Sequence, residues 1–395
     1  MVGVKATWSK DSGRIPREVF ADQGLYHEER ERIFRGPTWH LIAHESEVSA
    51  AGDYKRTTIA DVPIFIVRGP DNAVRGFVNA CAHRGAEIVN RKRGNAGKSI
   101  ACIYHGWRYE LSGKLHGVWL PNEFPLDFKR ENHSLTSVRV ETYHGCIFAT
   151  LSDEADSLEN FLGERVRELF REALGPRELV YLGSQTMSFR ANWKLCIENV
   201  FDSYHPQVLH GAVRILRTRM SPESAFDVAY SEDGKYPHAW TRYRALPIEE
   251  KNKDVLNDYS LFELQDAGRE TPYGIVIGLF CGDILSCQLD VLQLRYVRSR
   301  GVDSTEIEFA NFGVKGESDS LTKHRIHQAN ILGPAGVISL EDGCALERVQ
   351  WSASAGGVNH VLRGSLPDRP PHRYAEEGAV KDFYRAYRAI MAGKV

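Results

Sequence analysis

Cys81-Ala82-His83-Arg84-Gly85 and Cys102-Ile103-Tyr104-His105-Gly106-Trp107 each place one cysteine and one histidine close together. Two thiolates and two imidazoles are a metal-ligand set. Because each stretch carries one of each type, sulfur can serve one metal and nitrogen a second. A two-iron cluster with unlike irons needs that division, and histidine ligation of one iron raises its potential well above an all-cysteine site. A single ion, zinc above all, accepts the same four ligands. Iron content and a visible absorption spectrum separate the two readings.

The remainder of the chain bounds what such a site can belong to. At 395 residues it suits two or three domains. Hydrophobic content of 42% and charged content of 26% are ordinary for a globular protein that builds its own core. A net charge of −2 offers no large basic face, so neither nucleic acid nor an anionic membrane is an expected partner. Residues 1–16 are polar, and no apolar run approaches the ~20 residues needed to span a bilayer. A cytoplasmic protein is expected. Beyond Cys81 and Cys102 the cysteines are Cys146, Cys196, Cys281, Cys287 and Cys344, scattered and odd in number. They read as small buried apolar residues rather than a disulfide framework.

Both ligand stretches fall on loops of an all-β region. A charged amphipathic helix is expected over 21–35, with Leu25, Ile33 and Phe34 inward, stopped by Gly36-Pro37. From Trp39 to about Leu151 the texture is short strands and turns. Residues 62–68 and 73–78 read as a hairpin around Gly69-Pro-Asp-Asn72, and 107–111 with 114–116 as another around Ser112-Gly113. Ser157 caps a helix to Leu174, ended by Gly175-Pro176. Strands are expected at 186–190, 274–280, 284–297 and 305–312. Helices are expected from Asn192, over 318–332 and over 379–391, the last with Val380, Phe383, Tyr387 and Ile390 inward.

A second constellation lies at Asn192-Trp193-Lys194 … Glu198-Asn199 … Asp202-Ser203-Tyr204-His205-Pro206 … His210. Two histidines with four residues between them can converge on a metal. Pro206 discourages one continuous helix, which puts His205 at a helix end and His210 one turn on. Asp202, three residues before His205, is expected on the same helix face, where a carboxylate can take the spare N–H of a ligand histidine. On spacing alone such histidines are more often surface or core residues than ligands.

Read together, the two constellations carry a resemblance. The first pair of loops resembles those of Rieske [2Fe–2S] proteins. Respiratory Rieske proteins add a disulfide-forming cysteine to each loop, whereas this chain has Ala86 and Tyr104 there, as in the oxygenase or ferredoxin branch. Asn-Trp-Lys, Glu-Asn and Asp-x-Tyr-His-x4-His resemble the catalytic motif of α subunits of Rieske non-haem iron aromatic-ring-hydroxylating dioxygenases. The likeness spans nearly the whole chain. It implies an α+β architecture: an all-β Rieske domain at 38–152, an N-terminal helical segment at 1–37 packing on the catalytic domain, and a helix-grip catalytic domain at 153–395. In that fold a curved antiparallel sheet covers a long helix.

The same resemblance assigns roles. Cys81, His83, Cys102 and His105 hold the [2Fe–2S] Rieske cluster. His205 and His210 hold a mononuclear Fe(II) with a carboxylate from downstream, leaving positions open for oxygen. After Gly333-Pro-Ala-Gly336 the aspartate before glycine matches, so Asp342 is the expected third ligand and Glu341 the runner-up. Asp202 matches an aspartate that links an iron-ligand histidine to a cluster histidine, here His105, across a subunit boundary of a trimer. Asn199 matches a pocket asparagine near the iron. Electrons would come from NADH through a reductase, with or without a ferredoxin. A small β subunit (α3β3) is implied, with an α3 trimer as the alternative.

The subgroup most resembled acts on single-ring aromatic acids such as terephthalate, salicylate and anthranilate. The implied reaction is cis-dihydroxylation of an aromatic carboxylate by O2. A carboxylate wants an arginine in a mostly apolar pocket. Arg295, in the apolar run 291–297, is the candidate, and a solvent or subunit face is its other reading. Lys381 stands where similar enzymes carry a second carboxylate-binding arginine. A Rieske monooxygenase, hydroxylating or O-demethylating an aromatic acid, uses the same two centres. A Rieske electron-transfer protein needs only about the first 150 residues, which leaves the rest of this chain unexplained.

Overall fold

The β-branched run Val62–Arg68 forms a strand that pairs antiparallel with Val74–Val78, Arg68 opposite Val74. Ala73 joins the turn rather than the strand, because Gly69 N donates to Ala73 O and Asn72 sits at φ 65°. This hairpin lies within a computed structural model that describes residues 8–9, 11, 13–211, 224–244, 260–265, 274–362 and 377–394. Two compact units organise the chain: Phe34–Leu158, and Met1–Ile33 together with Glu159–Val395.

In the first unit seven strands form one sheet, in the order His40–His44, Cys146–Thr150, Ser137–Tyr143, Val74–Val78, Val62–Arg68, Asp53–Ile59, Arg93–Asn95. A three-stranded sheet, Ser99–Ala101, Arg108–Glu110 and Leu115–Gly117, completes it. Phe65, Phe77, Ile100, Trp107 and Tyr109 fill its core, and Cys81 and Cys102 are part of that core.

The second unit holds a seven-stranded antiparallel sheet. Its order is Leu179–Phe189, Ser304–Val314, Val291–Gly301, Ile284–Gln288, Gly274–Gly278, Pro237–Tyr243, Ala225–Tyr230. The apolar run 284–297, expected as one strand, is two: Leu289 at φ 52° turns the chain and Gln288 pairs with Val291. The polar residues Gln288 and Asp290 flank that turn, and reading the stretch as one strand passes over them. Helices Trp193–Val200, Asp319–Leu332, Val337–Ala353 and Gly378–Met391 accompany the sheet. Ser318 caps the second of these by accepting from Leu321 N, and Asn192 caps the first by accepting from Lys194 N. Val380, Phe383, Tyr387 and Ile390 are buried as expected. The helix Leu158–Leu174 is broken at Gly163, whose φ of 70° no side chain tolerates well.

The N-terminal helix departs from expectation. It runs as α-helix over Gln23–Glu29 and widens to a π-helix over Arg30–Phe34. Its inward residues are Tyr26, Glu29, Ile33 and Phe34, the last two as expected, while Leu25 is only half-buried. Glu29 turns inward because three donors meet it: Lys194 Nζ at 2.6 Å, Tyr387 OH at 2.6 Å and Trp193 Nε1 at 2.8 Å. Both members of the Glu29–Lys194 pair are fully buried, and burial lowers the Lys194 pKa while Glu29 opposes that. One ion pair therefore joins the N-terminal, Trp193–Val200 and C-terminal helices. Nearby, burial pushes Glu198 up to about 7, although Tyr384 OH donates to it and Lys194 is close.

Two outcomes are expected. Glu29→Ala strands the Lys194 charge and destabilises the catalytic unit by about 3–5 kcal/mol, read from urea unfolding. Glu198 binds its proton in the folded unit up to about pH 7 but releases it near 4.5 when unfolded. The folded state thus holds more protons between those values, and stability falls as pH rises through that window. Glu198→Gln flattens that slope in unfolding curves measured from pH 4.5 to 7.5.

Candidate metal centres

The two cluster loops are built alike. Cys81 N donates to Ala86 O, and Gly85 N donates to Cys81 O; Cys102 N donates to Trp107 O, and Gly106 N to Cys102 O. Gly85 and Gly106 sit at φ 69° and 68°, which explains glycine after each histidine-bearing turn. Cys81 and Cys102 are buried, His83 is exposed and His105 half-buried. The ring nitrogens Nδ1 of His83 and His105 face each other at 3.1 Å. Trp107 stacks on the His83 ring at 4.7 Å and 10°. Tyr109 OH lies 3.1 Å from Cys81 Sγ. Burial raises the Cys81 pKa and lowers that of His83, which the charge of His105 lowers further. A neutral imidazole is the form that ligates.

The grouping of donors separates the two metal readings. Among the described residues, one trio of potential ligand atoms lies within 4.8 Å of one another, and it is His205, His210 and Asp342. No three of the four cluster-loop donors meet that limit, whereas a tetrahedral ion with bonds of about 2.0–2.3 Å gathers all four within it. A nitrogen pair separated from a sulfur pair fits a cluster of two metals.

At the second centre, the end of helix Trp193–Val200 and a short helix Pro206–Leu209 set the ligands. His205 stands at the N-terminus of that short helix and His210 at its C-terminus, as the position of Pro206 requires. Asp342 comes from helix Val337–Ala353. Its Oδ1 lies 3.6 Å from Nε2 of His205 and 3.6 Å from Nε2 of His210. Asn199 Nδ2 donates to the same oxygen at 3.0 Å and approaches His205 Nε2 at 3.4 Å. Asp202 is not on the helix of His205. It lies in the preceding turn, where its Oδ1 accepts from Tyr204 N, and this turn brings Oδ2 to 3.2 Å from His205 Nδ1.

Glu341, the runner-up for the third ligand, does not converge with the trio. Its Oε2 accepts from His210 Nδ1 at 3.2 Å, and Gly211 N donates to it at 3.1 Å. Each histidine therefore has its own outer carboxylate, which fixes tautomer and ring orientation. Asp202, Glu341 and Asp342 have only histidine ion-pair partners among the described residues. Three acids around two imidazoles is a donor set that calls for a cation. The ring planes cross at 82°. Gly343, next to Asp342, faces the sheet: a Cβ there would lie 2.5 Å from Met187 Cε.

Arg295 lies on Val291–Gly301, half-buried, with its guanidinium 5.2 Å from the Phe309 ring. Burial pushes its pKa down to about 10, and the Asp342 charge partly restores it. Lys381 on Gly378–Met391 is half-buried, its Cε packed beside Gly13. Cys146, Cys196, Cys281 and Cys287 are buried as small apolar residues, but Cys344 is exposed on the Asp342 helix.

These geometries have counterparts. Residues 38–129 match the Rieske [2Fe-2S] domain, and residues 176–393 match the ring hydroxylating alpha subunit (catalytic domain). The anthranilate 1,2-dioxygenase large subunit of Burkholderia cepacia is 33% identical, covering 96% of this chain and 94% of that one. A terephthalate 1,2-dioxygenase terminal oxygenase subunit alpha 2 of Comamonas sp. is 30% identical over 96% and 95%. In three dimensions the chain is similar to naphthalene 1,2-dioxygenase from Rhodococcus sp., with a TM-score of 0.80, 21% identity and coverage of 96% and 95%. The chain belongs to the ring-hydroxylating oxygenase α subunits, enzymes with a Rieske [2Fe–2S] cluster and a non-haem iron. No helix among the described residues is long and apolar enough to cross a membrane.

His210→Ala is expected to remove mononuclear iron while leaving the cluster spectrum intact, as metal analysis with visible spectroscopy will report. Loss of both signals would instead mean misfolding.

Proposed function

We propose that this α subunit cis-dihydroxylates a single-ring aromatic carboxylate. The observation that carries the substrate class is an unbalanced charge. The buried arginines among the described residues of the catalytic unit are paired: Arg298 with Asp283 at 2.7 Å and Arg325 with Glu317 at 2.8 Å. Among the described residues Arg295 donates only to neutral acceptors, Gln293 Oε1 at 2.7 Å and Leu332 O at 3.4 Å. A desolvated guanidinium with no acid partner gains most from an anionic ligand. The relatives named for anthranilate and terephthalate point to the same class. Lys381 is a second candidate contact for an anionic substituent.

His205, His210 and Asp342 are the proposed ligands of Fe(II), and Cys81, His83, Cys102 and His105 those of the cluster. When bound, the two centres supply dioxygen activation and the second electron. Asn199 orients the Asp342 carboxylate through its donated bond, and Asp202 and Glu341 orient the two histidines. The overall balance is arene, O2, two electrons and two protons giving a cis-dihydrodiol. NADH supplies the electrons through a reductase, with or without a ferredoxin.

Transfer between copies in a trimer, through Asp202 to His105 of a neighbour, is part of the proposal. Exposed apolar side chains support copy-to-copy contact: Ile103, at 80% exposure, and Trp119 around the cluster loops, and Leu340 and Trp351, at 86%, on the Asp342 helix. Whether the assembly is α3 or α3β3 is decided by co-expression and mass measurement.

The test is turnover of benzoate-type acids with a surrogate reductase. Products should gain two oxygens and two hydrogens; gain of one oxygen identifies a monooxygenase, and reduction without oxygen uptake an electron carrier. Asp202→Asn should keep both metals yet lose nearly all product formation. Turnover at the parental rate would remove Asp202 from the electron path.

A further inference from the structure

The guanidinium of Arg295 is held along one edge. Nε donates to Gln293 Oε1 and Nη2 lies 3.4 Å from Leu332 O. Nε and Nη2 form the side edge of the fork, so that edge is occupied. The end of the fork, carrying Nη1, has no protein acceptor among the described residues. A planar carboxylate can pair with a guanidinium along either edge. Here the end is the one left to it.

Gln293 is itself fixed. It is 2% exposed, and its Nε2 donates to Asn311 Oδ1 at 2.9 Å. That bond sets which end of the amide is oxygen, because the nitrogen is committed to Asn311. The acceptor therefore faces Arg295. Strand register makes the arrangement rigid: Gln293 pairs with Asn311, and Arg295 with Phe309, so all four side chains share one face of the sheet. Phe309 supports the guanidinium plane from beside it.

We infer that Gln293, oriented by Asn311, is the positioning residue that commits Arg295 to end-on recognition of the substrate carboxylate. This deepens the reading of Arg295 as the anionic anchor and rests on it. Gln293 touches the anchor, not the substrate. Its chemistry matters because it is neutral. A glutamate in its place would give the guanidinium an internal partner and remove the charge imbalance the substrate relieves. A leucine would free the side edge and let the fork turn.

The experiment compares benzoate, 2-aminobenzoate and 2-hydroxybenzoate with their carboxamides, by anaerobic binding titration and steady-state turnover of the holoenzyme. The parent should bind an acid more tightly than its amide. Arg295→Ala should abolish that preference. Gln293→Glu should weaken acid binding by about tenfold or more while leaving amide binding within about twofold, with kcat changed far less than KM. Gln293→Leu should weaken the acid as well, and Asn311→Asp, which keeps the acceptor, should restore parental preference relative to Asn311→Leu. If the parent shows no acid preference, or Arg295→Ala keeps the parental one, the anchor reading itself falls. If Arg295→Ala loses the preference but Gln293→Glu and Gln293→Leu keep it, the anchor stands and the positioning role of Gln293 is refuted. Equal weakening of acid and amide in the Gln293 variants also refutes it, since general damage to the sheet would do the same.

Discussion

The Glu29–Lys194 ion pair sits under everything the catalytic unit does. Helix Trp193–Val200 carries Asn199 near its end and releases the chain into the turn of Asp202 and His205. Its first turn is tied to the N-terminal helix through Glu29 and to the C-terminal helix through Tyr387 on the same carboxylate. A buried pair of this kind gives little net stability against apolar substitutes, because desolvation offsets the attraction. Its contribution is geometric. Three segments far apart in sequence are held at one carboxylate, and the ligand helix cannot slide without leaving a charge unpartnered.

The candidate metal donors are legible because metal chemistry restricts residue types so strongly. Cysteine and histidine in paired loops, and two histidines flanking a proline-started turn, leave few alternatives. The carboxylate was harder. Glu341 and Asp342 are adjacent, and sequence offers no way to tell which faces inward. On a helix they point about 100° apart, and the helix sends Asp342 to the trio and Glu341 to His210 Nδ1. Asp202 was placed beside His205 for a helical reason, and reaches it through a turn instead. Short polar residues next to a proline-capped helix can achieve the same contact in several backbone forms.

The elements that escaped reading share a cause. The turn at Leu289 carries a polar signal, Asp290, but that residue is buried and held by Gln265 N and Gln328 Oε1 from elsewhere in the chain. The inward Glu29 contradicts amphipathic patterning because its three donors come from residues 193, 194 and 387. The break at Gly163 lies inside a helix whose buried face remains periodic on both sides. In each case a long-range partner overrides a local rule. The pairing of Gln293 with Arg295 belongs to the same class, since only strand register reveals that Asn311 directs it.

Gly343 has a final implication. The backbone beside Asp342 touches the end of Met187, so that one thioether side chain spaces the Asp342 helix from the sheet. Methionine is unbranched and adaptable, which makes it a compliant spacer rather than a rigid one. The distance between that helix and the sheet can then adjust through substitutions at 187 without changing any of the three converging donor atoms.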